Sequence, residues 1–207
     1  MQRNYSIDTL KFICAVLVVL LHTKSTYQDF ILPITRCAVP CFFMISGYLL
    51  YSDKEIGKER LKRNIVTIAK IMLWSTLLFA VLKGIMALYN GHLSFPNAKE
   101  WIDFIVLNAN PFGFHLWYLG AYLYVLLIVG LVDKYNKWNC LFMIIPVLLA
   151  GDLIFGKYSL LLLNKEYPYI YVRNFLFVGL PYFALGALLK TKAAQISNVD
   201  KYLLSGG

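Results

Sequence analysis

Charge is scarce in this chain, and negative charge is scarcest. Twenty Lys and Arg stand against eleven Asp and Glu in 207 residues, and charged side chains make up only 15% of the whole. Soluble domains carry about a quarter charged residues and roughly half apolar ones. Here 59% are apolar and the mean hydropathy is +0.62. No single water-surrounded core of this length needs so many long apolar runs, so the composition excludes a soluble globular domain. A net charge of +9 raises nucleic-acid binding. However, the basic residues sit between apolar runs rather than in an aromatic-interleaved stripe, and no nucleic-acid partner is expected. The positive-inside effect and anionic headgroups account for them, which makes membrane lipid the expected partner.

Chemistry-bearing residues are few. The four cysteines, Cys14, Cys37, Cys41 and Cys140, form no CxxC pair and no Cys/His cluster of metal spacing, and read as small buried hydrophobes. There is no Walker loop, GxSxG, HExxH or Rossmann fingerprint. No metal and no bound cofactor are expected, and any catalysis must use membrane-embedded residues. The first apolar run is followed by "HTKSTYQDF", without a small-x-small cleavage site, so it reads as a retained helix.

What is present is a series of apolar runs. A spanning helix needs about 20 mostly apolar residues. Six candidates follow: Thr9–Ser25, Pro33–Tyr51, Ile65–Tyr89 (interrupted by Lys70 and Lys83), Phe114–Val132, Asn139–Phe155 and Asn174–Leu189. The expected fold is all-α, a polytopic transmembrane helical bundle of about six spanning helices. It forms a membrane domain over residues 1–190, with 191–207 a cytoplasmic tail or the start of a further part. "WIDFIVLNANPFGF" (Trp101–Phe114) is too short and broken to span, and reads as interfacial or re-entrant. "YSLLLLNKEYPYIY" reads similarly, with tyrosines suited to the headgroup zone. The segment "SDKEIGKERLKRN" (Ser52–Asn64) carries five Lys/Arg and reads as a cytoplasmic loop. That places the N-terminus, with Arg3, inside; Lys24, Arg36, Lys99, Lys157 and Lys165 make the bias moderate.

The first run poses the main question, with Lys11 near one end and His22 at the other. Eleven residues at 100° each make three turns plus 20°, so the two share a helix face about 16 Å apart along the axis. Asp8 lies near the same stripe. Ionisable groups within a membrane are costly and usually face a bundle interior or a wet cavity. Two readings stand. Lys11 snorkels and His22 ends the helix in the interface; or a cavity has a cation at one mouth and a general base at the other. In "CAVPCFFMISGYLLY", Pro40, Ser46 and Gly47 allow either a kinked, closely packed helix or a backbone opening beside a substrate path. Arg60 and Arg63 could clamp a phosphate from one helix face or be ordinary loop charges. His115, Trp117 and Tyr118 sit at a membrane entrance. Asp152 and Arg173, at outer helix ends, could pair or hold a polar substrate.

These pieces resemble the acyltransferase-3 family of integral membrane acyltransferases. The family opens with an Asp and an Arg-x10-His motif on the first helix, matched by Asp8, Lys11 and His22. Its FFxxSG(F/Y) motif is matched by Phe42–Tyr48, and an RxxR found in some members by Arg60 and Arg63. Within the family, "RCAVPCFFMISGYLL", "FHLWYLGAYLYVLL", "AGDLIFG" and "RNFLFVGLPYFALGALL" are similar to the membrane domain of VanT-type serine racemases. Two departures stand out. Lysine replaces the family arginine at position 11, which keeps the charge but loses the bidentate fork. Six helices are counted where the family has about ten, so the chain reads as the N-terminal part of the family domain.

The resemblance implies transfer of an acyl group, acetyl from acetyl-CoA, to a hydroxyl of a cell-envelope carbohydrate in a bacterial plasma membrane. His22 is then the base, and Lys11, Arg60 and Arg63 hold the anionic donor. Asp8, Ser46, Gly47, Tyr48, His115 and Trp117 line the substrate path. The alternative is an amino-acid carrier, with serine held by His22, Asp152 and Arg173. No racemase activity is expected of this chain.

Overall fold

The computed structural model describes residues 5–23, 28–52, 55–91 and 95–205. Arg3, Lys24, Asp53 and Lys54, on which the orientation reading partly leans, lie outside them, as do the last two residues of the tail. Among the described residues, six helical stretches are long and apolar enough to cross a membrane: Tyr5–His22, Phe30–Leu50, Lys58–Tyr89, Phe114–Lys134, Trp138–Gly156 and Phe175–Ala193. They coincide with the six runs expected from sequence. The chain divides into two compact units, residues 1–55 with 182–207, and residues 56–181.

In the first unit, α1 (Tyr5–His22) packs on α2 (Gln28–Thr35) and α3 (Ala38–Leu50). The second spanning run is thus two helices, and Pro40 gives the reason. In an unbroken helix its ring would collide with the carbonyl of Arg36, and it has no N–H to offer that carbonyl. The chain therefore breaks at Arg36–Cys37, and Pro40 falls in the first turn of α3, where a missing donor costs nothing. Strands β1 (Tyr51–Ser52) and β2 (Glu55–Ile56) mark where the chain leaves this unit.

The second unit opens with α4 (Lys58–Tyr89), a helix of 32 residues that starts earlier than expected. The stretch Lys58–Asn64 is not loop but the first two turns of this helix. Gly57 stands at its N-cap, and Lys, Glu, Arg and Leu all favour helix. Lys70 and Lys83 do not interrupt it. One face of α4 is half-buried and packs on α6 (Trp117–Lys134); the rest stays apolar and exposed, Trp74 at 70% and Met86 at 66%. Between them in the sequence comes α5 (Ala98–Leu107), ten residues opened by a capping box of Asn97 and Glu100 and closed by Asn108 in the left-handed region, φ 54°. At ten residues it is too short to span. Helix α7 (Trp138–Asp152) runs into a π-helical turn at Leu153–Lys157, and α8 (Ser159–Leu163) follows. A second π-helical turn, Phe175–Gly179, leads into α9 (Leu180–Ser205), which carries the chain back into the first unit.

Candidate functional site

Helix α1 shows one inward stripe. Cys14 is buried at 2% exposure, and Ile7, Asp8, Lys11, Leu17, Val18 and Leu21 are half-buried along the same face. Lys11 therefore belongs to the packed face of the helix rather than its outer one, and its ammonium lies 3.7 Å from the Asp8 carboxylate. His22 continues the face in the last turn and is exposed. Beneath this stripe Cys14 meets Cys41 of α3, and both are free thiols.

The FFxxSG(F/Y)-like stretch sits on α3. The Ser46 hydroxyl donates to the Phe42 carbonyl one turn back, 2.8 Å away. Helix α3 continues unbroken past Gly47, which is buried against α9. A Cβ there would lie 1.9 Å from the carbonyl oxygen of Phe183. Gly186 faces the other way, and its Cβ would lie 1.9 Å from the carbonyl oxygen of Met44. Close approach of two helices is the geometry present at this glycine. One turn on, the Lys190 ammonium stands 4.8 Å above the Tyr48 ring.

Arg60 and Arg63 ride the first turns of α4 in the second unit, Arg60 half-buried and Arg63 exposed. The same unit brings together residues that the sequence reading left without roles. Asn108, Asn110 and Asn174 are buried at 1%, 6% and 3% exposure. The amide of Asn108 donates to the Trp117 carbonyl (3.1 Å) and its oxygen accepts from Phe175 N–H (3.1 Å), which ties α5, α6 and the second π turn together. Asn110 donates to Thr76 on α4 (2.7 Å) and accepts from Phe112 N–H (3.0 Å). Asn174 caps the π turn by accepting from Leu176 and Phe177 N–H. The only sequence signal was the run Asn108-Ala-Asn110-Pro111 inside an apolar segment, where amides in hydrocarbon demand partners.

His115 stacks edge-on against Phe79, with ring centroids 4.4 Å apart, and Trp117 opens α6. At Gly156 the Asp152 carboxylate and the Val172 side chain converge, at 3.7 and 2.8 Å from where a Cβ would stand. Arg173, next to Val172, lays its guanidinium 4.5 Å from the Tyr169 ring centroid. Asp152 and the Arg173 turn thus gather at one end of the second unit. Among the described residues, no three His, Cys, Asp or Glu side chains are placed to hold a metal ion.

Six apolar spans, with ionisable groups on the packed face of the first, define an integral membrane protein of the acyltransferase type. The chain belongs to the acyltransferase-3 family: residues 4–207 match Acyl_transf_3, described as an acyltransferase domain. It is 30% identical over 207 residues to an amino-acid racemase of Enterococcus faecalis, covering 91% of this chain and 28% of that protein. A second amino-acid racemase of the same organism is 29% identical over 98% of this chain and 32% of its own length. A serine/alanine racemase of Enterococcus gallinarum is 26% identical over 95% and 30%. The chain thus spans about a third of the curated relatives it matches, in line with the resemblance to VanT-type membrane domains. No solved structure matches it.

Proposed function

We propose that this chain moves an acyl group, acetyl from acetyl-CoA, to a hydroxyl of a cell-envelope carbohydrate in the bacterial plasma membrane, with its N-terminus cytoplasmic. The observation that carries the reading is the stripe on α1, with Asp8 and Lys11 paired on the packed face and His22 eleven residues along it. Lys11 holds the phosphates of the donor, and Ser46 and Tyr48 of the same unit shape its path. His22 takes the proton of the acceptor hydroxyl as its oxygen attacks the thioester carbonyl. The carbon–sulfur bond then breaks, and the thiolate recovers a proton from the imidazolium.

Label from acetyl-CoA should then appear in envelope material with membranes carrying this chain, and fall to the empty-membrane level with His22→Ala. Equal label in both samples would remove His22 from the mechanism. No label from a folded, inserted chain would end the acyl-transfer reading.

A second reading is favoured by the names of the relatives, which are amino-acid and serine/alanine racemases. In it the chain carries serine, held by Asp152 and Arg173 of the second unit. Uptake of labelled serine by cells expressing the chain separates the two readings.

A further inference from the structure

Lys83 is a cation inside an apolar transmembrane helix, and the mechanism above does not use it. It lies six residues before the end of α4. A lysine there can reach the headgroups by extending along the helix. This one does not. It lies on the half-buried face, and its ammonium donates to the Pro111 carbonyl at 3.2 Å and stands 6.0 Å from the centre of the Phe112 ring.

The surface it meets is held in place. Thr76, Phe79 and Lys83 form one stripe of α4, spaced three and four residues apart. Thr76 fixes Asn110, Asn110 fixes the Phe112 N–H, and Phe79 carries the His115 ring. Trp101 of α5 packs edge-on against Phe112 at 6.1 Å. The Gly113 backbone lies so close to His115 that a Cβ would come within 3.1 Å of its Cε1. The result is an ammonium, an imidazole and aromatic faces presented together at the end of α4 away from its basic first turns.

The charge balance is incomplete. No carboxylate among the described residues pairs with Lys83. A partly desolvated ammonium satisfied by one carbonyl keeps further N–H donors and an uncompensated charge, and both favour an anion. We propose that the Lys83–His115 end of the second unit binds a carboxylate-bearing small molecule, with Lys83 as its counter-ion and the Phe112 and Trp101 rings as its apolar floor. The carboxylate belongs to an acidic sugar or to a free amino acid. Naming that ligand the acyl acceptor rests on the acyl-transfer reading; the anion site does not.

The test is saturation-transfer NMR on the full chain in nanodiscs of zwitterionic lipid, with matched probes: glucuronate against glucose, and serine against ethanolamine. Within at least one pair the carboxylate-bearing probe should give the stronger signal, and that pair identifies the source. The preference should weaken at least about tenfold in Lys83→Met, the scale of one lost charged hydrogen bond, and survive in Lys83→Arg. On the unaltered protein, the methyl ester of the preferred probe should lose the advantage, which keeps the proposal testable if Lys83→Met does not fold. No carboxylate preference in either pair overturns it, as does a preference indifferent to Lys83→Met or to esterification. Because binding is read without turnover, a failed acyl-transfer assay beside a retained carboxylate signal refutes the enzyme reading and leaves this site standing.

Discussion

Gly47 and Gly186 form a reciprocal contact, each pressed against a backbone carbonyl of the other's helix, at Phe183 and Met44 respectively. The hypothetical Cβ distances of 1.9 Å are far inside any real contact, and the obstacle is backbone, which cannot swing aside. Gly47→Ala or Gly186→Ala should therefore force α3 and α9 apart and cost about 1–3 kcal/mol or more. Thermal unfolding in detergent should show the loss. Gly84→Ala is the control. It meets nothing within 4 Å, and alanine in a helix should raise stability by roughly 0.5–1 kcal/mol.

Asn108 should be the most sensitive polar residue of the second unit. Removing its side chain in Asn108→Ala strands the Phe175 N–H, takes the amide donor from the Trp117 carbonyl at the start of α6 and puts alanine at φ 54°. A loss of about 2–4 kcal/mol is expected, read as a lowered unfolding midpoint. Asn108→Asp keeps the acceptor for Phe175 and loses only the donor, so it should fall between.

Asp133 holds the other end of that unit by accepting from the Ile56 N–H and the Trp138 Nε1–H, both at 2.9 Å. An amide oxygen can accept both bonds. Asp133→Asn should cost under about 1 kcal/mol and Asp133→Ala about 2–3. Equal effects of the two substitutions in the same unfolding assay would show that charge, not hydrogen bonding, is what matters at this position.

Lys11 separates charge from geometry. If it holds the anionic donor, Lys11→Met should raise the KM for acetyl-CoA about tenfold or more, and Lys11→Arg should keep it near the starting value. Asp8→Asn, which releases the ammonium from its 3.7 Å partner, should shift the same constant without abolishing turnover. A drop in kcat with unchanged KM in Lys11→Met would argue for a role at the reacting atoms instead.

Orientation has its own readout. Cys140 is exposed in the first turn of α7, on the side that the proposed cytoplasmic N-terminus would place inside the cell. With the other exposed thiol removed as Cys37→Ser, an impermeant maleimide should label it in inverted vesicles and leave it unlabelled in intact cells, with the further change Cys140→Ser as the blank. Labelling from outside the cell would reverse the assigned topology.

The six spans were legible because an apolar run long enough to cross a bilayer has few other meanings, and their number and order follow directly. The ends were less legible. Lys58–Asn64 carries charges that read as loop, yet the same residues are good helix formers, and helix propensity decided. The break at Arg36–Cys37 was half legible: Pro40 announced an interruption, but a proline in a first turn places it four residues upstream. Counting 100° steps put Lys11 and His22 on one face of α1, but which face packs inward was not legible, because a snorkelling lysine and a buried one have the same spacing. Buried asparagines were not legible as a knot, because their partners, Trp117, Phe175 and Thr76, are backbone groups and a hydroxyl up to 67 residues away, and nothing local identifies them.

The two π turns change how the chain tolerates length. Each is closed by bonds five residues apart, Tyr158 N–H to the Leu153 carbonyl (2.8 Å) and Gly179 N–H to the Asn174 carbonyl (3.2 Å). Such a turn holds one residue more than an α turn. It works as a built-in phase shift of about 100° in the helical register. Removing a single residue within 153–157 would relax it to an ordinary α turn and rotate Asp152 away from the side where Val172 lies. These are therefore the two places where a one-residue deletion, harmless to hydropathy and invisible in composition, should be felt as a change in which side chains face each other.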